Sequence, residues 1–258
     1  MEKISKKQSV LIFALLGFIC SMQLNAQKAN QGTITYEDVF KMEINLDSLP
    51  EEIRGMMPTE TKSEMTLYFN ESTSIYQPSA SKEEEISESG EGGMVVISMG
   101  GGSQNICYRN LTGNKVVQQV DFMDRTFLIE DEFTKREWKM TGGQKMIGGY
   151  PCLEATSKEK EDLVTAWFCP GIPVSAGPED YGGLPGMILA ISTNNGDRTI
   201  TAKSVDLKEI EKDKIVKPTK GKKMTTKEFE EMVMKKTEEM GGSSEGGNVR
   251  VVIKTVTQ

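Results

Sequence analysis

Histidine is absent from this chain of 258 residues. Its absence excludes the Ser–His and Cys–His pairs that activate nucleophiles, and it excludes zinc sites built on imidazole. After residue 26 the sequence has no run of about 20 apolar residues, the length that a membrane-spanning helix needs. These absences favour a protein that is not an enzyme and that uses neither a metal nor a cofactor.

The first 26 residues have the three parts of a secretory signal. Lys3, Lys6 and Lys7 form a basic start, residues 10–20 are apolar, and Ala26 is a small residue at the expected cleavage site. We therefore expect an exported protein, either periplasmic or associated with the outer membrane. Removing these residues leaves 28 basic and 37 acidic side chains, a formal charge of −9. That charge disfavours nucleic acids as partners.

Residues 32–205 show the alternation of apolar and polar side chains that is typical of β-strands. Ile34, Tyr36 and Phe40 alternate with polar residues, and turn signals such as those at 112–114, 141–143 and 194–196 separate the runs. Sequential short strands joined by tight turns favour antiparallel pairing. The pattern predicts a mainly β domain over 27–207, built as a strongly curved antiparallel sheet or open barrel like that of lipoprotein-carrier proteins.

Three regions depart from this pattern. A polar connection follows at 45–54, a Glu-, Ser- and Gly-rich arm at 81–103, and a charged linker at 208–223. Thr225 and Glu228 then form a capping box that predicts one amphipathic helix, whose apolar face comprises Phe229, Met232, Val233 and Met240. A Gly/Ser tether leads to a predicted last strand at 248–257. We expect residues 208–258 to complete the same domain, with the helix packed on the sheet.

The most informative segment of the sequence ends in Gly183-Leu184-Pro185-Gly186-Met187-Ile188. Together with Trp138 and the segments 147–152, 166–168, 172–174 and 177–178, it resembles the GLPGLI family. The resemblance implies an exported β-rich protein of Bacteroidetes-type bacteria and no established activity. Met187 occupies the position where the family motif has leucine, a nearly volume-neutral exchange.

The glycines and proline of the motif predict a fixed turn that feeds a buried strand. The same turn could also form the rigid lip of a cavity for an apolar ligand. On that second interpretation, the candidate ligand-binding residues are Trp138, Tyr150, Trp167, Tyr181, Leu184 and Met187.

The cysteines suggest a structural role. If 150–158 and 163–169 form a hairpin, Lys158 lies opposite Leu163, and the same register places Cys152 opposite Cys169. In an exported protein this predicts a disulfide between them and leaves Cys107 outside the bridge. A thiolate nucleophile at Cys107 is the alternative, but the sequence shows no base to activate it.

Three functions stay open at this point. The first is a non-catalytic binding or carrier protein for an apolar small molecule or lipid. The second is an accessory protein of an outer-membrane complex, which would dock its 82–103 arm on a partner by strand addition. The third, least supported by the residues, is a hydrolase that uses carboxylates or Cys107.

Overall fold

The computed structural model describes residues 30–41, 59–79, 105–159, 162–211 and 213–239. The predicted signal, the 45–54 connection, the 81–103 arm, the Gly/Ser tether and the last strand at 248–257 lie outside these ranges.

Within the described ranges, twelve strands form one sheet that curves strongly without closing, as the sequence predicted. The strands are β1 (Gly32–Lys41), β2 (Glu60–Phe69), β3 (Thr73–Pro78), β4 (Ile106–Asn110), β5 (Lys115–Phe122), β6 (Arg125–Glu132), β7 (Lys139–Ile147), β8 (Tyr150–Glu159), β9 (Asp162–Cys169), β10 (Met187–Thr193), β11 (Arg198–Asp206) and β12 (Lys222–Met224). Their order across the sheet is β12-β6-β5-β4-β3-β2-β1-β11-β10-β9-β8-β7. Helix α1 (Thr226–Glu239) follows β12.

The middle of the sheet is held by β1, which pairs antiparallel with both β2 and β11. Alternation along β1 buries Ile34 and Tyr36 completely. Directly opposite residues of paired strands lie on the same face, and the register places Met65 beside Tyr36 and Leu67 beside Ile34. This face, called the inner face below, carries the hydrophobic core.

The predicted hairpin of β8 and β9 is confirmed in its register. Lys158 lies opposite Leu163, and the pairing extends one step further, to Glu159 and Asp162. The short connection between the strands fixes this register. The burial pattern also disfavours a slip of one residue, because such a slip would move every side chain to the other face.

The two edges of the sheet differ. One edge is the nine-residue strand β7. The other is β12, three residues long, which pairs with β6 in parallel. The sequence predicted a linker through residue 223, whereas the structure has a strand at Lys222–Met224. Three residues are too few for a periodic pattern to reveal a strand.

Helix α1 begins as the sequence predicted. The Thr225 backbone N–H donates to Glu228 Oε2 at 2.8 Å, and the Glu228 N–H donates to Thr225 Oγ1 at 3.3 Å. The Phe229 ring packs edge-on against Phe127 and Phe122, with centroids 5.5 and 6.2 Å apart. Among the described residues, no helix is both long enough and apolar enough to cross a membrane.

Residues 170–186 leave the sheet and fold back into the core. The backbone N–H groups of Met187 and Ile188 donate to the carbonyls of Ile172 and Ala176, both at 2.9 Å. Ile172, Ala176 and Tyr181 are fully buried. The segment therefore occupies space beside the inner face that an open, ligand-filled barrel would leave to its ligand.

Candidate functional site

The GLPG motif forms the turn that the sequence predicted. The Gly186 N–H donates to the Leu184 carbonyl at 2.9 Å, which closes a tight turn around Pro185. Gly186 has φ +152, and a Cβ there would lie 2.3 Å from the carbonyl oxygen of Cys169. Only glycine permits this approach, so the motif fixes the point where the chain enters β10.

The residues just before the motif, 178–182, form a loop called the motif loop below. Three arginines from separate parts of the fold hold it. Arg198 Nη2 donates to Glu179 Oε1 at 2.6 Å, Arg136 Nη2 donates to Asp180 Oδ2 at 3.0 Å, and Arg109 Nη1 donates to the Tyr181 carbonyl at 2.7 Å. Hydrogen bonds that involve a charged group are stronger than neutral ones, so these contacts fix the loop over the inner face.

Of the six predicted ligand-binding residues, Tyr181 belongs to the motif loop, Trp138 contacts it, and Leu184 and Met187 follow it in the chain. Tyr181, Leu184 and Met187 are buried in the core, while Trp138, Tyr150 and Trp167 are partly buried and pack against it. Trp138 Nε1 donates to the Gly182 carbonyl at 2.9 Å. All six residues thus belong to the core or pack against it, and their role in binding an apolar ligand stays a prediction.

Beneath the motif loop, two polar groups of the inner face are buried and have no hydrogen-bond partner among the described residues. Tyr76 and Arg109 are 2% and 3% exposed. Tyr76 on β3 lies opposite Cys107 on β4, two residues from Arg109, so the two side chains are diagonal neighbours on one face, roughly 7–8 Å apart. The Tyr76 hydroxyl and Arg109 Nε have no hydrogen-bond partner within the described part of the chain.

The Arg109 guanidinium is unusual in its surroundings. It lies 4.0 Å from the centre of the Phe133 ring, and a Cβ on Gly182 would lie only 2.3 Å from its Nη1. Among the described residues no carboxylate forms an ion pair with it. Burial lowers the pKa of this guanidinium, which is the expected response of a cation removed from water.

Asp38, Glu179 and Arg198 form an ion cluster next to Tyr76. Arg198 donates to Asp38 through Nε at 2.9 Å and through Nη2 at 2.5 Å, in addition to its bond with Glu179. Burial raises the pKa of the Tyr76 hydroxyl well above its ordinary value, and the negative charges of Glu179 and Asp38 raise it further. The side chains of Asp38, Glu179 and Arg198 are 13 to 22% exposed, so this cluster is the solvent-facing side of the site.

The predicted disulfide between Cys152 and Cys169 is not formed. The register does place the two opposite each other, since Leu153 pairs with Phe168, but both are free, buried thiols. The Cys152 Sγ turns along its own strand towards the Tyr150 carbonyl, at 3.5 Å. Burial, and then Cys169, raises the pKa of the Cys152 thiol to about 11, which disfavours the thiolate that disulfide formation requires.

An exposed apolar strip lies along the open edge of the sheet. Met140 and Met146 on β7 are 51% and 64% exposed. Their pairing partners, Ala155 and Pro151, lie on the same face of β8 as the half-exposed Leu153. On the opposite face the Lys145 ammonium lies 4.2 Å from the centre of the Trp167 ring. We call Met140, Met146 and Leu153 the edge strip.

Two surface grooves occur elsewhere. One, of about 400 Å3, is lined by residues 121–126 at the turn between β5 and β6. The other, of about 210 Å3, lies between β12 and α1 and includes Met224 and Met232. None of the six predicted ligand-binding residues lines either groove.

Sequence reasoning missed Tyr76, Arg109 and Asp38 as site residues. The only local sign was a charged residue at an inward position: Cys107 and Arg109 are two apart on one short strand. The contact between Arg109 and the motif loop joins residues that are 72 apart in the sequence. No local pattern reveals such a contact.

Comparison with known proteins locates the similarity around the motif. A family model described as a protein of unknown function (Porph_ging) matches residues 155–190, which include the motif but form a small part of the chain. No curated protein matches. Two solved structures titled as PNGF-II, in two crystal forms, are similar at TM-score 0.52 with 17% and 16% identity.

These structural matches cover 80% of this chain but only 34% and 33% of the PNGF-II chains. The chain therefore spans about a third of the length of those structures. At this identity the likeness is one of fold, a β-rich architecture with a curved sheet. The chain is thus similar, over 155–190, to a family of unknown function that shares its motif segment.

Proposed function

We propose that this chain is an exported binding protein without catalytic activity that holds a small polar ligand beneath the motif loop. One observation carries the proposal: the Tyr76 hydroxyl and Arg109 Nε are buried on one face without hydrogen-bond partners in the described residues. A buried polar group that lacks a partner costs about 1–3 kcal/mol. Two such groups side by side are explained by a ligand that satisfies both.

The proposal retains the predicted binding function but changes the chemistry of the ligand. The side chains of Tyr181, Leu184 and Met187, predicted to bind an apolar ligand, are buried in the hydrophobic core. The groups that lack a hydrogen-bond partner among the described residues, the Tyr76 hydroxyl and Arg109 Nε, are polar. The absence of histidine supports a role without catalysis. The signal-like residues 1–26 and the resemblance to the GLPGLI family support export to the periplasm or outer membrane.

Native mass spectrometry of residues 27–258, purified from a periplasm under mild conditions, tests the proposal. We expect an adduct of small-molecule mass that denaturation removes. Tyr76→Phe should lose the adduct, because it deletes only the hydroxyl. Tyr108→Phe should keep it, because Tyr108 lies opposite Ile75 and so faces away from Tyr76.

The alternatives give different spectra. A lipid-sized adduct would support the apolar carrier instead. An adduct-free wild-type mass, together with a crystal structure that shows only water between Tyr76 and Arg109, would refute the proposal.

The edge strip supports a second candidate, an interaction protein that adds an extended strand of a partner polypeptide to β7. An edge strand presents unpaired N–H and C=O groups, and here exposed methionines flank them. The register break between Met140 and Gln144 limits the docking edge to residues 144–147. The predicted 82–103 arm lies outside the described residues, so this candidate rests on β7.

A photo-crosslinking amino acid at position 146 tests this candidate in cells. We expect one discrete crosslinked product. The matched control is position 234, because Met234 on α1 is similarly exposed, at 57% against 64%. Equal products at both positions, or none at 146, would argue against strand addition.

A further inference from the structure

The turn that ends β7 determines which backbone groups this strand presents at its open edge. Residues 148 and 149 form the turn, with φ +56 and +84, the type I′ geometry of a two-residue hairpin loop. The residues that flank such a loop, here Ile147 and Tyr150, form a hydrogen-bonded pair, and the pairs beyond them alternate. The next pair, Met146 with Pro151, is therefore not hydrogen-bonded, and proline suits that position because it lacks an N–H.

The backbone groups at the open edge are therefore those of Met146 and, two residues earlier, Gln144. Their N–H and C=O groups point away from β8, and in the described sheet no strand lies on that side of β7. The register is continuous from Gln144 to Ile147, so the two residues offer two donors and two acceptors in line. An antiparallel strand of another polypeptide can form four backbone hydrogen bonds with them.

The two faces of this docking edge differ in chemistry. On one face the edge strip presents Met140, Met146 and Leu153, which are all exposed. On the other face Lys145 is exposed, and its ammonium lies 4.2 Å from the centre of the Trp167 ring, which holds the charge over the sheet. Directly opposite residues of paired strands lie on the same face. A docked strand therefore places two alternate side chains beside the edge strip and the side chain between them beside Lys145.

The charge of Lys145 favours an acidic side chain at that middle position. Glu154, on the same face of β8, accepts a hydrogen bond from Thr141. Among the described residues no carboxylate forms an ion pair with Lys145. The Cβ atoms of directly opposite residues are about 4.5–5.5 Å apart, and opposite charges at such positions stabilise the pairing.

The same lysine disfavours pairing of β7 with a second copy of the chain. In an antiparallel self-pairing, the register that joins Gln144 to Met146 of the other copy makes all four hydrogen bonds. That register places Lys145 opposite Lys145, and like charges directly opposite each other are destabilising. Registers centred on Gln144 or Met146 pair one of the two with Gly148 or Gly142, whose positive φ is not that of an extended strand.

We infer that β7 docks an extended segment of a different protein in which one acidic residue lies between two apolar residues. The apolar side chains cover the edge strip, the acidic side chain faces Lys145, and the backbone bonds to Gln144 and Met146. This inference rests on strand addition to β7, the second candidate function. Residues 248–257, the predicted strand after α1, do not fit this pattern, because they contain two basic residues and no acidic one.

Amide hydrogen exchange of residues 27–258, followed by NMR, tests the inference with three peptides at millimolar concentration. The peptides share the sequence Thr-Val-X-Val-Thr, with X as Glu, Gln or Lys, and both ends are capped to remove terminal charges. In the free protein the amides of Gln144 and Met146 should exchange fast, and the amide of Lys145, which bonds to β8, should exchange slowly. The Glu peptide should slow exchange at the first two amides. It should bind at least about threefold more tightly than the Lys peptide, because an ion pair replaces a like-charge pair.

Charge reversal in the protein gives a sharper comparison. Lys145→Glu should reverse the preference, so that the Lys peptide binds more tightly than the Glu peptide. Lys158→Glu is the matched control, because Lys158 is also exposed but lies on β8, outside the docking edge. It should keep the wild-type preference. Each preference is a ratio measured within one variant, so a change in the stability of that variant cancels.

The outcomes distinguish the acidic partner from strand addition itself. Equal affinities for the three peptides would overturn the acidic preference and leave strand addition standing. If no peptide slows exchange at Gln144 or Met146, strand addition to β7 fails as well. If both amides already exchange slowly in the free protein, another part of this chain fills the edge, or a second copy does where dilution restores fast exchange. Either result contradicts a separate partner.

Discussion

Replacing Gly186 by alanine tests whether the motif is fixed by a steric requirement. The added Cβ would lie 2.3 Å from the Cys169 carbonyl oxygen, 2.7 Å from its carbonyl carbon and 3.0 Å from the Pro170 Cα. All three atoms belong to the backbone, so no rotamer change can relieve the overlap. The ends of β9 and β10 would have to separate.

The magnitude follows from two terms. A non-glycine residue at this φ costs about 1–3 kcal/mol, and forcing atoms into a packed site costs about 1–3 kcal/mol more. We therefore expect Gly186→Ala to lower the free energy of unfolding by about 2–6 kcal/mol. Gly142→Ala is the matched control, because Gly142 also has a positive φ, +86, but a Cβ there meets nothing within 4 Å.

Urea unfolding followed by tryptophan fluorescence measures both variants, since Trp138 and Trp167 pack against the core. Alanine reduces the entropy of the unfolded chain equally at both positions, so that effect cancels in the comparison. Gly186→Ala should be less stable than Gly142→Ala by at least about 1 kcal/mol, the steric term alone. Equal stabilities would refute the argument that the close approach to Cys169 dictates glycine in the motif.

Three further predictions concern other parts of the fold. Iodoacetamide should leave Cys152 unmodified in the native protein, because the thiol is buried and its pKa is raised to about 11. Intact mass before and after unfolding checks this, and rapid labelling of the native protein would contradict it. The hydrogen bond from the Thr225 N–H lowers the pKa of the Glu228 carboxyl. The stability that this carboxylate adds is therefore present above its ordinary pKa and is lost as the pH falls through the lowered pKa. The urea midpoint of wild type should therefore approach that of Glu228→Ala in acid, and a gap independent of pH would count against the cap. Phe229→Ala should lose about 1–3 kcal/mol from two aromatic pairs, measured by urea unfolding, whereas loss of the exposed Met234 side chain should cost little.

Local chemistry made part of this fold predictable. The start of α1 follows from Thr225 and Glu228, three residues apart, whose mutual hydrogen bonds need no distant partner. The β8–β9 register follows from a short connection and the alternation on both sides of it. Gly186 and its neighbouring proline predicted a turn because each restricts or permits specific backbone angles.

The candidate site was not predictable in the same way. Arg109, Tyr76 and Asp38 come from three strands, and the motif loop reaches them only after residues 170–186 fold back into the core. The disulfide prediction shows a related limit. Register places two cysteines opposite each other, but the direction of each Sγ and the burial of the pair depend on packing around them.

The unequal edges of the sheet have a consequence for assembly. Growth of a fibre by edge pairing needs two compatible edges on every copy. In this sheet β12 has three residues and begins with Lys222 and Lys223, and short, lysine-bearing edges resist pairing. Among the described residues only β7 offers a long edge, so pairing of copies through these edges would use β7 twice and end at two molecules. The unequal edges of the described sheet therefore disfavour open-ended growth by edge pairing.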